Sequence, residues 1–346
     1  VSTTIDGGSP AGTVTEKLPV RPRRPSGPVR GPRPPRRRPA GATPPPRPPK
    51  PPRRPPAPPR PPLVLSPREQ LVRGIVALLA VALLGVAANV LVLSHIHHLV
   101  GQQIALNEFR QELSDATAPV GEGDVNGVIL ADGSPVARLT IPSIGVDEVV
   151  LEGSSSGVTM NGPGHRRDTV LPGQAGQSVV LGRAAAYGGP FSRIQELLPG
   201  ATITAITGQG KSTYTVIGVR YAGDPTLPAL QGSQGRLTLV TARGVPYVPA
   251  GVVRVDAQLV STPKPAGARA TAPLSLPLAD RELAGDPSTV WLLVFALQAI
   301  VVAEILAVRS LSRFGLRKTW IVFAPVLLAG GVIAADQISR LLPNLL

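Results

Sequence analysis

Apolar positions along the chain fall into two patterns that predict different elements. Three long runs are almost purely apolar: Gly74–Leu93, broken only by Asn89; Val290–Val308, with Gln298 and Glu304 inside; and Trp320–Ile338, with Pro325 and Asp336. Each is close to the ~20 residues that a helix needs to cross a hydrocarbon core, so transmembrane helices are predicted at 74–94, 290–308 and 320–338. Between the first and second runs, residues 136–260 carry short β-branched and apolar stretches separated by Gly, Pro and Asp. Strands are predicted at Ala137–Ile141, Ser178–Leu181, Ala201–Thr207, Ser212–Val219, Arg236–Thr241 and Val252–Val260, a spacing that suggests a sandwich or barrel. One short helix is predicted at Pro190–Leu198, with Gly200 as its stop signal. Ser94–Ala118 reads as a helical extension with Ile104, Leu106, Phe109 and Leu113 on a loose stripe. It forms the start of a stalk over 95–135, and 261–289 is a Pro/Ala-rich linker back to the third element group.

Charge refines this picture. The formal net charge is +14, yet residues 20–62 alone hold 12 Arg, one Lys and no acid. Proline there denies the backbone its donors, so residues 1–67 are expected to be a disordered, polyproline-II-like tail. Such a tail suits anionic lipid or a proline-binding module; a nucleic-acid partner is not expected. Arg68 and Arg73 precede the first run, and Arg309, Arg313, Arg317 and Lys318 fill the loop 309–319 between the second and third. The positive-inside rule then puts the tail and that loop in the cytoplasm, and residues 95–289 and the segment after 338 outside. Glu304 and Asp336 lie near span ends, where they can reach headgroups or a nearby arginine, and Asn89 is a candidate for a helix–helix hydrogen bond. The chain has no cysteine, which rules out disulfides, thiolate metal sites and a cysteine nucleophile.

Four separated motifs in 136–260 resemble a known family. Leu139-Thr140-Ile141-Pro142-Ser143-Ile144-Gly145-Val146 is similar to the opening strand of a sortase domain. Gly162-Pro163-Gly164-His165 with Leu171-Pro172-Gly173-Gln174 resembles the loop before the sortase histidine strand. Gly182-Arg183 followed by Tyr187-Gly188-Gly189-Pro190-Phe191 resembles the Gly-His segment, and Leu237-Thr238-Leu239-Val240-Thr241-Ala242 the strand that ends at the nucleophile. The resemblance is to the actinobacterial sortases often called class E. It implies an all-β sortase-like barrel, extracytoplasmic, joined to the three transmembrane α-helices and the Pro/Arg tail.

A sortase is a transpeptidase whose cysteine forms an acyl-enzyme, with a histidine handling protons and an arginine stabilising the oxyanion. Here the resemblance maps the cysteine onto Ala242, the histidine onto Arg183 and the arginine onto Val252. Arginine is no base near neutral pH. Arg254, two residues past Val252, shares its strand face. His165, Tyr187, Thr241, Arg243 and Arg254 are candidate groove residues. Substitute chemistry finds little support: Thr241 points to the opposite strand face, and Ser154, Ser155 and Ser156 have no base in sequence reach. His95 and His98 share a helix face but more often such residues are interfacial; no metal or cofactor is expected. The chain is therefore expected to be catalytically inactive, binding or scaffolding in cell-surface or cell-wall assembly. Expected partners are the membrane, sorting-signal peptides, an active sortase or other membrane proteins. The alternative is a cysteine-independent acyl transferase using residues outside the family set.

Overall fold

A computed structural model describes residues 66–267, 269, 271 and 275–346. The tail expected over 1–67 lies outside the described residues but for its last two positions. Helix α1 (Pro67–Ala88) starts at a capping box: Glu69 N–H donates to Ser66 Oγ at 3.3 Å and Ser66 N–H to Glu69 Oε2 at 2.7 Å. Pro67 occupies the first turn, where its missing N–H costs nothing. A π-helical turn (Asn89–Leu93) joins α1 to α2 (Ser94–Ser114). A single-turn helix, α3 (Ser156–Thr159), lies within the barrel region, and α4 (Val290–Phe314) and α5 (Leu316–Leu341) follow it. Among the described residues, three helical stretches are long and apolar enough to cross a membrane: Leu83–Ser114, Pro287–Ser310 and Arg317–Leu341. α5 packs against both α1 and α4. α1 and α5 approach at glycines, since a Cβ on Gly85 would stand 3.8 Å from the Gly331 carbonyl oxygen.

Between the helices, eight strands form a closed barrel: β1 (Pro135–Ile141), β2 (Val146–Glu152), β3 (Gly164–His165), β4 (Gly176–Leu181), β5 (Thr202–Thr207), β6 (Gly210–Tyr221), β7 (Gly235–Val245) and β8 (Val248–Leu259). Their order around the barrel is β1-β2-β3-β4-β7-β8-β6-β5. The β2–β3 and β4–β7 pairs are parallel and the others antiparallel. The strand period of two sorts the side chains. Leu139, Ile141, Val180, Leu237, Leu239 and Val255 fill the interior, while their neighbours Val179, Leu181, Val240 and Ala242 form a separate apolar patch. β2 and the two-residue β3 were not among the strands expected from sequence. Val146–Glu152 holds Asp147, Glu148 and Glu152, which interrupt the apolar pattern.

Two expectations need correction. The helix expected at Pro190–Leu198 is only a 3-10 turn at Ile194–Glu196. Ser192 N–H donates to Gly189 O, Ile194 to Phe191 O and Leu197 to Ile194 O, all three residues back. Phe191, Ile194 and Leu197 are all buried, and that spacing of three is the 3-10 period. The stalk helix is not free-standing either. On α2, Phe109 and Ala105 bury against Val149 and Leu151 of β2, whereas Ile104 of the expected stripe is exposed. Gln102 fixes the contact: its Nε2 donates to Val149 O (3.0 Å) and Asn161 O (2.9 Å), and its Oε1 accepts from Val149 N–H (2.7 Å).

Candidate functional site

The ends of β4, β7 and β8 bring together Arg183, Ala242 and Val252, the three positions that the resemblance marks. Ala242 on β7 is paired directly opposite Val252 on β8. Gly182 follows β4, and its N–H donates to Val240 O at 2.9 Å, which seats Arg183 beside the end of β7. Glycine is required there, because a Cβ on Gly182 would fall 2.4 Å from the Phe191 ring. The next turn is strained: Tyr187 is left-handed (φ 53°) ahead of Gly188 (78°) and Gly189 (50°). This conformation places the Tyr187 ring 4.9 Å below the Arg183 guanidinium, a cation–π contact, with His97 edge-on at 5.6 Å. Burial pushes the Tyr187 phenol above its ordinary value.

Arg183 is 1% exposed. Its Nη2 donates to Ser156 Oγ (2.8 Å) and Ser156 O (3.1 Å), and its Nη1 to Leu346 O (3.3 Å). Burial draws it down to about 10, so it remains a cation at neutral pH and holds no lone pair for a base. No acidic side chain pairs with it among the described residues; main-chain oxygens, a hydroxyl and an aromatic face share its charge.

The chain after α5 covers this site. Leu345 packs on Val179, Leu181, Val240 and Ala242, with Val252 and Ala184 at the edge. Ala184 N–H donates to Leu345 O at 2.9 Å. Asn344 Nδ2 donates to Ser154 O (2.7 Å) and Arg281 O (2.9 Å). Ser156 Oγ faces Ser339 O (3.3 Å) and Leu342 O (3.2 Å). Asn89, in the π turn, donates to Ser339 Oγ at 3.2 Å, tying the first helix to the same joint. Beside Leu346 a shallow open cavity of about 160 Å³ remains, lined by Ala184, Ala242, Arg243 and Tyr247.

The other expected groove residues separate. Arg243 lines that cavity and lies 5.0 Å over the Tyr221 ring. Arg254 is ion-paired with Glu282 of the linker. Thr241 is buried and donates to Gly182 O at 2.7 Å. His165 lines a different cavity with Glu152 and Gln174. Its Nδ1 is 2.8 Å from Glu152 Oε2, and its Nε2 is 2.9 Å from Val170 O and 3.2 Å from Thr169 Oγ1. A carbonyl can only accept, so Nε2 carries a proton and is not a base toward Thr169.

The Ser154, Ser156 and Thr241 hydroxyls are all engaged in hydrogen bonds. Ser154 Oγ donates to Asp280 O at 2.8 Å, and Ser154 N–H to Asp280 Oδ1 at 3.1 Å. Among the described residues no group of three or more His, Cys, Asp or Glu could share a metal ion. His98 instead sits 3.1 Å from Glu148 and His97 3.1 Å from Asn161. Asp280 gives a pH test of the linker joint. Burial, the largest cause, raises its pKa above the unfolded value of about 3.9. The folded state therefore binds the proton more tightly, and this stability, complete below the unfolded pKa, is lost as pH rises through the folded one. In denaturation midpoints taken from pH 3 upward, Asp280→Asn should escape this loss; parallel wild-type and variant curves would count against it.

The joint was not readable from local sequence pattern, because Leu342–Leu346 is a short stretch after an apolar span. The one cue was the odd number of predicted spans, which puts that stretch on the barrel's side. Comparison with known proteins bears on the same region. Residues 139–255 match the family model of the Sortase domain. No curated protein matches the chain. Similar solved structures include a Sortase D5 transpeptidase from Clostridium perfringens, with 21% identity over 47% of this chain and 99% of that one and a TM-score of 0.39. Another is Sortase E1 from Streptomyces coelicolor with a tripeptide in its active site, with 23% identity over 37% of this chain and 88% of that one and a TM-score of 0.33. Sortase C-1 from Actinomyces oris has 24% identity over 37% of this chain and 75% of that one, also with a TM-score of 0.33.

Proposed function

We propose, from the match of residues 139–255 to the Sortase domain family model and the absence of cysteine, that the chain is a catalytically inactive, membrane-anchored scaffold in cell-surface or cell-wall assembly. One observation carries this reading. Arg183 and Ala242, at the family's base and nucleophile positions, hold the end of α5 in place of reacting groups. A site of that kind joins a barrel to a membrane bundle. Its partners are other integral membrane proteins, an active sortase among them, met through the lipid-facing sides of α1, α4 and α5. The barrel lies outside the cell membrane, and the Pro/Arg tail and basic loop lie on anionic lipid at the inner face.

The alternative of cysteine-independent acyl transfer needs an activated hydroxyl. Ser154 and Thr241 each donate to a main-chain carbonyl, and Ser156 accepts from Arg183, which weighs against it. Two measurements test the proposal. Purified full-length protein incubated with sorting peptides and hydroxylamine should yield no hydroxamate; product would end the inactive reading. Mild crosslinking in the native membrane followed by mass spectrometry should recover integral membrane proteins. Predominant recovery of secreted proteins with sorting signals would replace the scaffold with a peptide receptor.

A further inference from the structure

The cover over the groove has the form of a bound peptide. Leu342–Leu346 leaves helix α5 at Pro343, which cannot continue the helical hydrogen bonding. From there Asn344 donates its side-chain amide to two main-chain carbonyls, Leu345 accepts a main-chain bond from Ala184 and fills an apolar pocket, and Leu346 accepts from Arg183. The segment is held as a turn, Leu346 N–H donating to Pro343 O at 3.2 Å, and main-chain bonds to the groove with one side chain seated in a pocket are how grooves recognise peptides. Asn344 and Leu345 are both 0% exposed, so the segment is integral to the site and not draped over it. Arg183 supplies a second, independent indication. It is a fully buried guanidinium that has no acidic side-chain partner, and no hydrogen-bond partner for its Nε, among the described residues. Burying a cation is costly unless acceptors are brought to it, and Leu346 O is one of the few that are.

We propose that Leu342–Leu346 is a resident ligand of the groove, an intramolecular peptide that closes the degenerate site and excludes any peptide from another chain until it leaves. This rests on the inactive-scaffold reading and adds its regulation. The ligand class is a turn-forming segment of the chemistry shown by Leu342-Pro343-Asn344-Leu345-Leu346. The cis segment wins by effective concentration, because a tethered ligand reaches millimolar local levels without additional contacts. A partner that pulls α5 away from α1 breaks the Asn89–Ser339 bond and frees the segment.

The absence of native cysteine gives a direct test. Ala242→Cys puts the chain's only thiol beneath Leu345, at a position 6% exposed. In the full-length protein in detergent, that thiol should react slowly with a bulky maleimide. Adding Leu345→Asp should raise the rate at least tenfold, since a carboxylate will not enter the apolar pocket. The free peptide Leu-Leu-Pro-Asn-Leu-Leu should then restore protection, and a scrambled peptide should not. Ala257→Cys inside the barrel, 0% exposed, should stay unlabelled with or without Leu345→Asp, which excludes unfolding as the cause. If it does not, Leu345→Ala takes the place of Leu345→Asp. Equal rates with and without the Leu345 change overturn the resident ligand, and failure of the peptide to restore protection overturns the peptide groove. Neither result depends on the hydroxamate assay, whose positive outcome would instead end the inactive reading.

Discussion

Replacing Glu152 with alanine should lower the stability of the barrel by about 3–5 kcal/mol, the usual cost of leaving one member of a buried charged pair alone. Glu152 is 1% exposed and His165 is 2% exposed. They face each other in register across β2 and β3, and β3 is only two residues long. The strand that links β2 to β4 therefore depends on this pair as well as on its few main-chain bonds. Because His165 Nε2 already donates to Val170 O, Nδ1 must share a second proton with the carboxylate. Removing the carboxylate leaves a buried nitrogen without a partner, and takes from Arg167 a carboxylate 3.7 Å away. Glu152→Gln keeps an acceptor for Nδ1 and should cost clearly less. The denaturation midpoint of the barrel measures both. A loss below about 1 kcal/mol for the alanine variant would mean that water or Arg167 rearranges to fill the gap, a smaller cost than a buried pair implies.

The barrel was legible in the sequence wherever its strands alternate cleanly. β5, with Ile203 and Ala205 inward, and β7, with Leu237 and Leu239 inward, carry the period of two that a barrel wall imposes. β2 was hidden because its acidic residues have specific tasks: Glu152 meets His165, Glu148 meets His98 and Asp147 meets Arg138. β3 is too short to have a period. Ala242 and Arg183 could be singled out in the sequence because they are single identities at positions that the resemblance marks. What those residues hold could not, since Leu345 reaches Ala242 from more than a hundred positions away in the chain. His165 was misleading for a similar reason: it sits in a family-like motif, yet its partners are Glu152 and the Thr169–Val170 turn, and the groove lies elsewhere.

A thiol introduced at Ala242 alone should give no acyl transfer. Ala242→Cys supplies a thiol on β7 within an apolar patch. That thiol is covered by Leu345, and Arg183, at the position the resemblance gives to the proton-transfer histidine, is a guanidinium that keeps its proton at neutral pH. Lack of general acid–base help costs about 10²–10⁴-fold and lack of an oxyanion donor about 10²–10³-fold, so the single variant should lie at least ~10⁴-fold below a complete site. Arg183→His and Val252→Arg address those two deficits, because residue 252 stands directly across from residue 242, where cross-strand Cβ atoms are about 5 Å apart. The combination of all three with Leu345→Asp, to open the groove, should give hydroxamate from sorting peptides where each single change gives none. Stepwise gains as the changes accumulate would show that the fold has kept the geometry of acyl transfer and lost only its reacting groups. Activity from Ala242→Cys alone would show that neither the covering segment nor Arg183 obstructs the site, and both the resident ligand and the joint would have to be abandoned.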